Sequence, residues 1–185
     1  MISPWPVTVD ELTFRTPVEA DIPSLLAVRN LPEVNRFMVR TYVDPDELRR
    51  EVLANPTSAR DHTCVVERDG RVVATGFLQI LDAAGQPGVP EGAEGLIGYV
   101  VDPAEWGRGV ATATVPVLLR AAFEVLGLRR VAAGASLDNV ASVRALERAG
   151  VRHEQHEVKA LWDAELGWID VVGYAMLADE WRARS

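Results

Sequence analysis

The sequence predicts one α/β domain over residues 1–185, and three observations support that fold class. Of the 185 residues, 48% are hydrophobic, which is enough for one well-buried core and too little for two. Strand-like and helix-like segments follow the order strand, two helices, hairpin, then strand–helix–strand–helix–strand–strand. No internal repeat and no linker-like segment divides that order.

The amino-terminal part is predicted to hold one strand and two helices. The strand is the run Glu11–Pro17, which stops at its proline. Apolar residues at helical spacing predict the first helix over residues 19–30. The second begins at Asp44, an N-cap residue followed by Pro45. Residues 31–43 show no clean period and are predicted as a loop with a short helix.

Strands dominate the remainder of the chain. Two β-rich runs flank Asp69-Gly70, a strong hairpin signal. Residues 82–95 are rich in glycine and proline and are predicted to form an exposed, mobile loop. Pro116 falls inside a helix expected to run to about Leu126, where a proline should cause a kink. Further strands are expected at residues 96–102, 129–136, 154–162 and 168–177, with another helix at residues 139–150.

Composition narrows the classes of partner. The net charge of −8 argues against nucleic acid and anionic membranes, because no basic surface is available to meet phosphates. Cys64 is the only cysteine, which excludes an intramolecular disulfide or a cysteine-based metal cluster, and we expect no metal. Neither a secretory signal nor a membrane span is visible, so we expect a cytoplasmic protein.

The segment Asp102–Thr112, DPAEWGRGVAT, points most directly to a ligand. Two glycines flank Arg108 immediately after a predicted strand. The N–H groups of residues 107–112 would be the unpaired donors at a helix amino terminus, where the helix dipole favours an anion. Glycines would let a pyrophosphate approach closely. A tight turn that only packs the helix on the strand is the competing interpretation.

Two nucleotide-binding motifs fit this loop poorly. A dinucleotide fingerprint requires GxGxxG after the first strand of a βαβ unit. Here Gly107 and Gly109 are followed by Ala111 and Thr112, and the loop follows a later strand. A P-loop requires Gly-Lys-Ser/Thr, which the sequence lacks. An enzyme that uses NAD or ATP is therefore disfavoured.

Three segments carry a family resemblance: GYVVDPAEWGRGVAT (98–112), DNVASVRALERAGV (138–151) and WIDVVGYAMLADEW (168–181). In order and separation they resemble the GNAT superfamily of N-acetyltransferases, and more narrowly its ribosomal-protein, RimJ/RimL-like branch. The resemblance spans roughly Leu12–Trp181. The superfamily's pyrophosphate loop has the form Gln/Arg-x-x-Gly-x-Gly/Ala. Gly109 and Ala111 match its last two anchors, whereas Trp106 stands where Gln or Arg is usual.

The resemblance implies a single-domain GNAT fold with a mixed, mostly antiparallel sheet of about six to seven strands flanked by helices. Acceptor-side helices would occupy about residues 18–55, and an acetyl-CoA-binding core about residues 94–150. Acetyl-CoA, as cosubstrate, would run beside a strand and be held by main-chain groups, one of which polarises the thioester oxygen. The implied cofactor-binding residues are Tyr99, Val100, Val101, Trp106, Gly107, Arg108, Gly109, Val110, Ala111, Thr112, Asn139 and Ser142.

Ser142 is the implied catalytic residue, since serine at this position in the branch is the proposed hydrogen-bond donor to the departing thiolate. A thiol with a pKa near ~8.5 needs only modest help to leave, so a neutral hydroxyl suffices. The competing interpretation of Ser142 is a serine that faces solvent or bonds back to its own helix. Asn139 either caps the helix or contacts the cofactor near its thiol end.

The general base is harder to place. Relatives often carry a glutamate two residues before the strand glycine, a position that Leu96 occupies here. Glu94 lies two residues further back and shares its strand face, so it could relay a proton through water. Glu154, His153 and His156 are alternatives, and an ordinary surface role competes with each.

The predicted function is transfer of an acetyl group from acetyl-CoA to a primary amine by direct attack in a ternary complex. The acceptor would be a protein N-terminal α-amine or a small-molecule amine, with residues 31–43 forming part of its pocket. A non-catalytic acyl-CoA-binding sensor or scaffold is the alternative. A homodimer through the last strands is plausible.

Overall fold

The computed structural model describes residues 3–184 and confirms the mixed α/β fold class. Eight strands form one sheet in the order β1-β2-β3-β4-β5-β6-β8-β7. The β5–β6 pair is parallel and the other six pairs are antiparallel. The strands are β1 (Val7–Val9), β2 (Leu12–Arg15), β3 (Cys64–Arg68), β4 (Arg71–Leu81), β5 (Glu94–Val101), β6 (Arg130–Ser136), β7 (Arg152–Asp163) and β8 (Gly167–Leu177).

Helices cover both faces of this sheet. They are α1 (Ile22–Arg29), α2 (Pro32–Asn35), α3 (Pro45–Ala54), α4 (Val110–Arg120), α5 (Val140–Arg148) and α6 (Ala178–Arg182). The Asp44 side chain accepts hydrogen bonds from the N–H groups of Asp46 and Glu47, which confirms it as the N-cap of α3. Across the described part of the chain, no helix is long and apolar enough to cross a membrane.

The sheet has one strand more than the six to seven predicted. The expected first strand exists as β2, but the three-residue β1 precedes it and pairs with it antiparallel. Asp10 in the connecting turn has φ 51, a left-handed conformation that aspartate tolerates better than most residues. The predicted hairpin at Asp69-Gly70 is confirmed, with φ 51 and φ 74 at its two turn residues.

Two neighbouring residues of β3 show how the core is divided. Val65 and Val66 are both fully buried, although successive strand residues point to opposite faces. Val66 packs in the main core, which includes Leu118 of α4. Val65 packs with Leu25 of α1 and Val52 of α3. Each such side chain contributes about 1.5–3 kcal/mol when removed from water, so both helical layers are fixed to the sheet.

The helix after the glycine loop continues through Pro116, and the kink expected there stays a prediction. The α-helix runs to Arg120, and residues 121–125 then form a π-helical turn in which the Leu126 N–H bonds to the Ala121 carbonyl. Gly127, with φ 67, follows the last turn. The predicted extent to Leu126 is therefore right, but its final turn is wider than an α-helix.

The β5–β6 pair is open at one end. β6 pairs with β5 only over Glu94–Leu96, opposite Arg130–Ala132. β4, on the other side, follows β5 all the way to Val101. From Ile97 onward β5 therefore has a strand neighbour on one side only, and a gap opens between the carboxyl ends of β5 and β6.

Candidate active site

A cavity of about 1310 Å³ lies at this gap. Its walls come from α2 and the residues after it, the end of β5, the glycine loop, the start of α5 and the β7–β8 hairpin. Tyr99, Val100 and Val101 form the β5 wall. Because β6 has separated from β5 here, their main-chain groups on that side are available to a ligand rather than to a neighbouring strand.

The glycine loop forms the floor of the cavity next to α4. Gly107 has φ 75 and Gly109 has φ 80, both in the left-handed region. A Cβ at either position would meet no protein atom within 4 Å, so backbone conformation requires these glycines and the space above them is open. Gly109 is also the N-cap of α4 and offers no side chain to the first N–H groups of the helix. Those donors, at Val110, Ala111 and Thr112, line the cavity.

Trp106 and Glu105 hold this loop in place. The Trp106 indole N–H donates to the Val101 carbonyl at 3.0 Å, which ties the loop to the end of β5. The Glu105 carboxylate is 2% exposed and pairs with Arg68, with Arg71 at 2.7 Å and with Arg108 at 3.1 Å. This cluster of one carboxylate and three guanidinium groups was not predicted, because its members come from distant parts of the sequence.

Arg108 is directed at Glu105 rather than into the cavity. Its main-chain N–H donates to the Glu105 carbonyl at 3.3 Å, and its guanidinium pairs with the Glu105 carboxylate. These contacts fix the loop on which Gly107 and Gly109 lie, and the contribution of Arg108 to anion binding stays a prediction.

The start of α5 brings Asn139 and Ser142 to the cavity. Asn139 caps the helix, since its Oδ1 accepts a hydrogen bond from the Ser142 N–H at 3.2 Å. The Ser142 hydroxyl lies 3.0 Å from the Tyr99 hydroxyl on β5. Burial raises the pKa of Tyr99 above its ordinary value, although the hydrogen bond to Ser142 opposes that shift. Tyr99 therefore stays protonated and can donate to the serine.

Glu94 is not brought into this group. It begins β5 at the closed end of the β5–β6 pair, where its carboxylate pairs with Arg129 and lies 3.7 Å from Arg130. The cavity wall starts further along β5, at Tyr99. Glu94 is not among the residues that line the cavity. Its assignment as the general base stays a prediction.

None of the three alternative bases is itself among the residues that line the cavity. Glu154 pairs with Arg152 at 2.6 Å and with Arg130, and these hydrogen bonds lower the pKa of its carboxyl group. His153 packs edge-on against Tyr174, with ring centroids 5.3 Å apart. His156 is 2.7 Å from Asp170, a residue that does line the cavity.

The opposite wall of the cavity is formed by two segments that approach from separate elements. Of the predicted acceptor-side residues 18–55, five reach the cavity: Glu33, Val34, Arg36, Phe37 and Met38. From the β7–β8 hairpin come Lys159, Leu166, Trp168, Ile169 and Asp170. The contribution of this hairpin was not predicted.

The described residues also bear on two other kinds of reactive group, a nucleophilic cysteine and a metal ion. Cys64 is fully buried in β3, and burial raises the pKa of its thiol to about 12. Residues 3–184 contain no group of three or more His, Cys, Asp or Glu side chains placed to hold a metal ion.

Comparison with known proteins gives the following matches. A family model described as an acetyltransferase (GNAT) domain matches residues 11–152. The probable N-acetyltransferase YjcK of Bacillus subtilis (strain 168) is 36% identical over 87 residues, which cover 46% of this chain and 44% of that protein. The matched region thus spans just under half the length of the curated relatives.

Solved structures share the fold over nearly the whole chain. The spermidine N-acetyltransferase from Vibrio cholerae in complex with CoA and spermine has a TM-score of 0.81 and 18% identity, covering 93% of this chain and 98% of that one. Mycobacterium smegmatis RimJ in complex with CoA-disulfide has a TM-score of 0.76 and 22% identity, covering 97% and 91%. At these identities the likeness establishes the fold alone.

Proposed function

The chain belongs to the GNAT acetyltransferase family, and on that premise we propose that it transfers an acetyl group from acetyl-CoA to a primary amine. One observation carries the proposal: the gap between β5 and β6 and the N-terminus of α4 open onto the same cavity. The gap offers unpaired main chain, and the helix offers N–H donors to an anion. The pantetheine and pyrophosphate parts of CoA require these two features, side by side.

In this proposal acetyl-CoA lies along β5. Its pantetheine amides pair with the main chain of Tyr99, Val100 and Val101 in the manner of an added strand. The pyrophosphate is bound by N–H groups of the loop and of the first turn of α4, residues 109–112, where the helix dipole adds to the attraction. The left-handed glycines leave the open space that the phosphates need.

Ser142 then acts on the leaving group. Attack by a neutral amine forms the C–N bond, and the C–S bond breaks to release the CoA thiolate. The nitrogen loses one proton as the amide forms, and the thiolate takes up one proton. The Ser142 hydroxyl donates its proton to the thiolate and accepts the proton from the nitrogen, so it ends the step neutral. The Tyr99 hydroxyl, 3.0 Å away, donates a hydrogen bond to the serine oxygen during this exchange. The raised pKa of Tyr99 suits a group that acts as a donor.

The acceptor is an amine whose deprotonation needs little help. An α-amino group with a pKa of about 7.7–8.0 is already about a tenth neutral at pH 7, whereas a lysine amine is not. Ser142 and the tryptophan before Gly-Arg-Gly support the ribosomal-protein branch, in which the acceptor is a protein α-amine. The spermidine N-acetyltransferase of similar fold supports a small-molecule amine as the other candidate.

A non-catalytic acyl-CoA sensor is the second candidate. The observation in its favour is that Leu96 replaces the usual glutamate and Glu94 is paired with Arg129 at the closed end of the sheet. The Tyr99–Ser142 pair argues against it, because a sensor has no leaving thiolate to protonate.

Calorimetric titration with acetyl-CoA, with NAD and ATP as controls, tests the cofactor. Release of free CoA thiol in the presence of an amine panel, including N-terminal peptides and polyamines, then tests catalysis. We expect binding of acetyl-CoA alone and amine-dependent thiol release. Binding of acetyl-CoA without thiol release, whichever amine is added, would favour the sensor. Absence of acetyl-CoA binding would overturn both candidates.

A further inference from the structure

The β8 strand places an indole ring and a carboxylate together on the cavity wall. Trp168 and Asp170 are two residues apart, so they share one face of the strand. Both line the cavity, and Trp168 is 56% exposed, so its indole is accessible to a ligand. The Trp162 ring packs edge-on against it at 5.4 Å between centroids, which fixes its orientation.

Asp170 is held by two donors from β7. Its Oδ1 accepts the Lys159 N–H at 2.9 Å, and its Oδ2 lies 2.7 Å from His156 Nε2. Lys159 has φ 49 and sits where the β7–β8 register shifts, so the carboxylate stabilises a strained bulge. These two hydrogen bonds lower the pKa of Asp170, and the carboxylate stays ionised near neutral pH. A carboxylate has about four acceptor sites, so it has capacity left for a ligand.

The other acidic residues of the cavity are less suited to bind a cation. Glu105 is buried and its oxygens are already shared by Arg68, Arg71 and Arg108. Glu33 and Asp138 lie on α2 and before α5, and neither has an indole two residues away on a strand. Of the acidic residues that line the cavity in the described part of the chain, Asp170 is the one that combines an oriented negative charge, free of a salt bridge to arginine, with an exposed indole on the same strand face. A carboxylate and an aromatic face are the two groups that bind an ammonium ion.

We propose that Trp168 and Asp170 form the site where the acceptor first binds in its ammonium form, before it loses a proton and attacks as the neutral amine. This inference rests on the proposed acetyltransferase function. Lys159, whose main-chain N–H bonds to Asp170, lines the cavity beside this carboxylate, and its positive charge disfavours a second ammonium next to the first. The site therefore selects an amine with a single positive charge, such as a peptide N-terminus, over a polyamine.

The test is calorimetric binding to protein saturated with CoA, which lacks the acetyl group and so prevents turnover. The probes are the tripeptide amide Ala-Phe-Ala-NH₂, with one ammonium, and spermidine, with three. We expect the tripeptide amide to bind more tightly. Asp170→Asn should weaken its binding at least tenfold, and Trp168→Leu several-fold. Lys159→Gln should reduce the difference in affinity between the tripeptide amide and spermidine.

Glu157→Gln is the matched control, since it removes a carboxylate from the same hairpin outside the cavity wall and should leave binding unchanged. Trp168→Leu leaves both hydrogen bonds to Asp170 in place, so it decides the question if Asp170→Asn disrupts the bulge and lowers CoA affinity. If the tripeptide amide bound Asp170→Asn and Trp168→Leu as tightly as the wild type, the ammonium site would be wrong, while the proposed acetyltransferase function would stand. Tighter binding of spermidine to the wild type would overturn the single-charge preference. If the protein bound CoA but neither the tripeptide amide nor spermidine, the proposed class of acceptor, a primary amine, would be overturned together with the ammonium site.

Discussion

The hydroxyl oxygens of Tyr99 and Ser142 lie 3.0 Å apart, although the two residues are 43 positions apart in the sequence. Tyr99 comes from the open end of β5 and Ser142 from the first turn of α5, so the contact spans the place where the sheet separates. The Tyr99 hydroxyl also lies 3.4 Å from the Ser142 carbonyl, which fixes the phenol at the helix end. The Ser142 hydroxyl, the proposed proton donor, is thus oriented by a neutral, half-buried partner, Tyr99.

Ser142→Ala is expected to lower kcat about 100-fold and leave the KM for acetyl-CoA within about twofold, because the hydroxyl acts on the leaving group. The measurement is steady-state thiol release with a fixed amine. The Asn139 cap is preserved in this variant, since it uses the main-chain N–H of residue 142. Ser142→Thr keeps a hydroxyl and should retain much of the rate. Turnover unchanged by the alanine would remove Ser142 from the mechanism.

Gly109→Asp is expected to weaken acetyl-CoA binding more than 100-fold. The side chain would enter the open space above the loop and set a negative charge against the pyrophosphate. Gly88→Asp is the matched control, because Gly88 also has a left-handed φ of 94 with no atom near its Cβ, in the exposed loop before β5. Both variants carry the same backbone strain, about 1–2 kcal/mol. Calorimetry should show a binding loss in the first alone; equal affinities would contradict the loop assignment.

Glu105→Gln is expected to destabilise the protein by about 3–5 kcal/mol, because it leaves buried Arg68 without its main counter-charge. Urea unfolding would measure this loss. Glu11→Gln is the control: Glu11 pairs with the other side of Arg68 at 2.8 Å but is 65% exposed. An exposed partner should contribute no more than about 1 kcal/mol. Equal losses in the two variants would show that burial does not decide the strength of this cluster.

Local elements of the fold were predictable because neighbouring residues determine them. Asp44 caps α3 through N–H groups two and three residues away, and Asp69-Gly70 turns a hairpin whatever lies beyond it. β1 was missed because three residues show too little alternation to detect. The backbone part of the candidate site followed from DPAEWGRGVAT, where glycines and a helix start are adjacent in sequence.

Side-chain partners across the sheet could not be predicted in the same way. Strand alternation gave the face of Glu94 but not its carboxylate's ion-pair partners, Arg129 just before β6 and Arg130 at the start of β6. The bulge at Lys159, which lets Asp170 bond to its N–H, depends on the register of two strands. Such contacts depend on how separate elements pack, which one sequence read locally does not specify.

His62 makes stability depend on pH near neutrality. It is 7% exposed, with its main-chain N–H bonded to the Leu78 carbonyl and its carbonyl accepting the Trp5 indole N–H at 3.0 Å. Burial lowers the pKa of its imidazole, although Asp61 opposes the shift. The unfolded chain, with a histidine pKa of about 6.5, then binds a proton more readily than the folded protein. The free energy of unfolding should therefore be highest above pH 6.5 and fall as pH decreases through and below it.

Urea unfolding at several pH values between about 5.5 and 7.5 measures this slope, above the range in which carboxylates protonate. His62→Gln should flatten the slope, because no imidazole remains to be protonated on unfolding. His153→Gln is the control: His153 lies on the exposed strand β7, so its removal should leave the wild-type slope in place. If His153→Gln flattened the curve and His62→Gln did not, burial of His62 would not be the cause. Desolvation, the largest influence on His62, penalises only the charged imidazole. The contribution of His62 therefore makes the free energy of unfolding rise with pH.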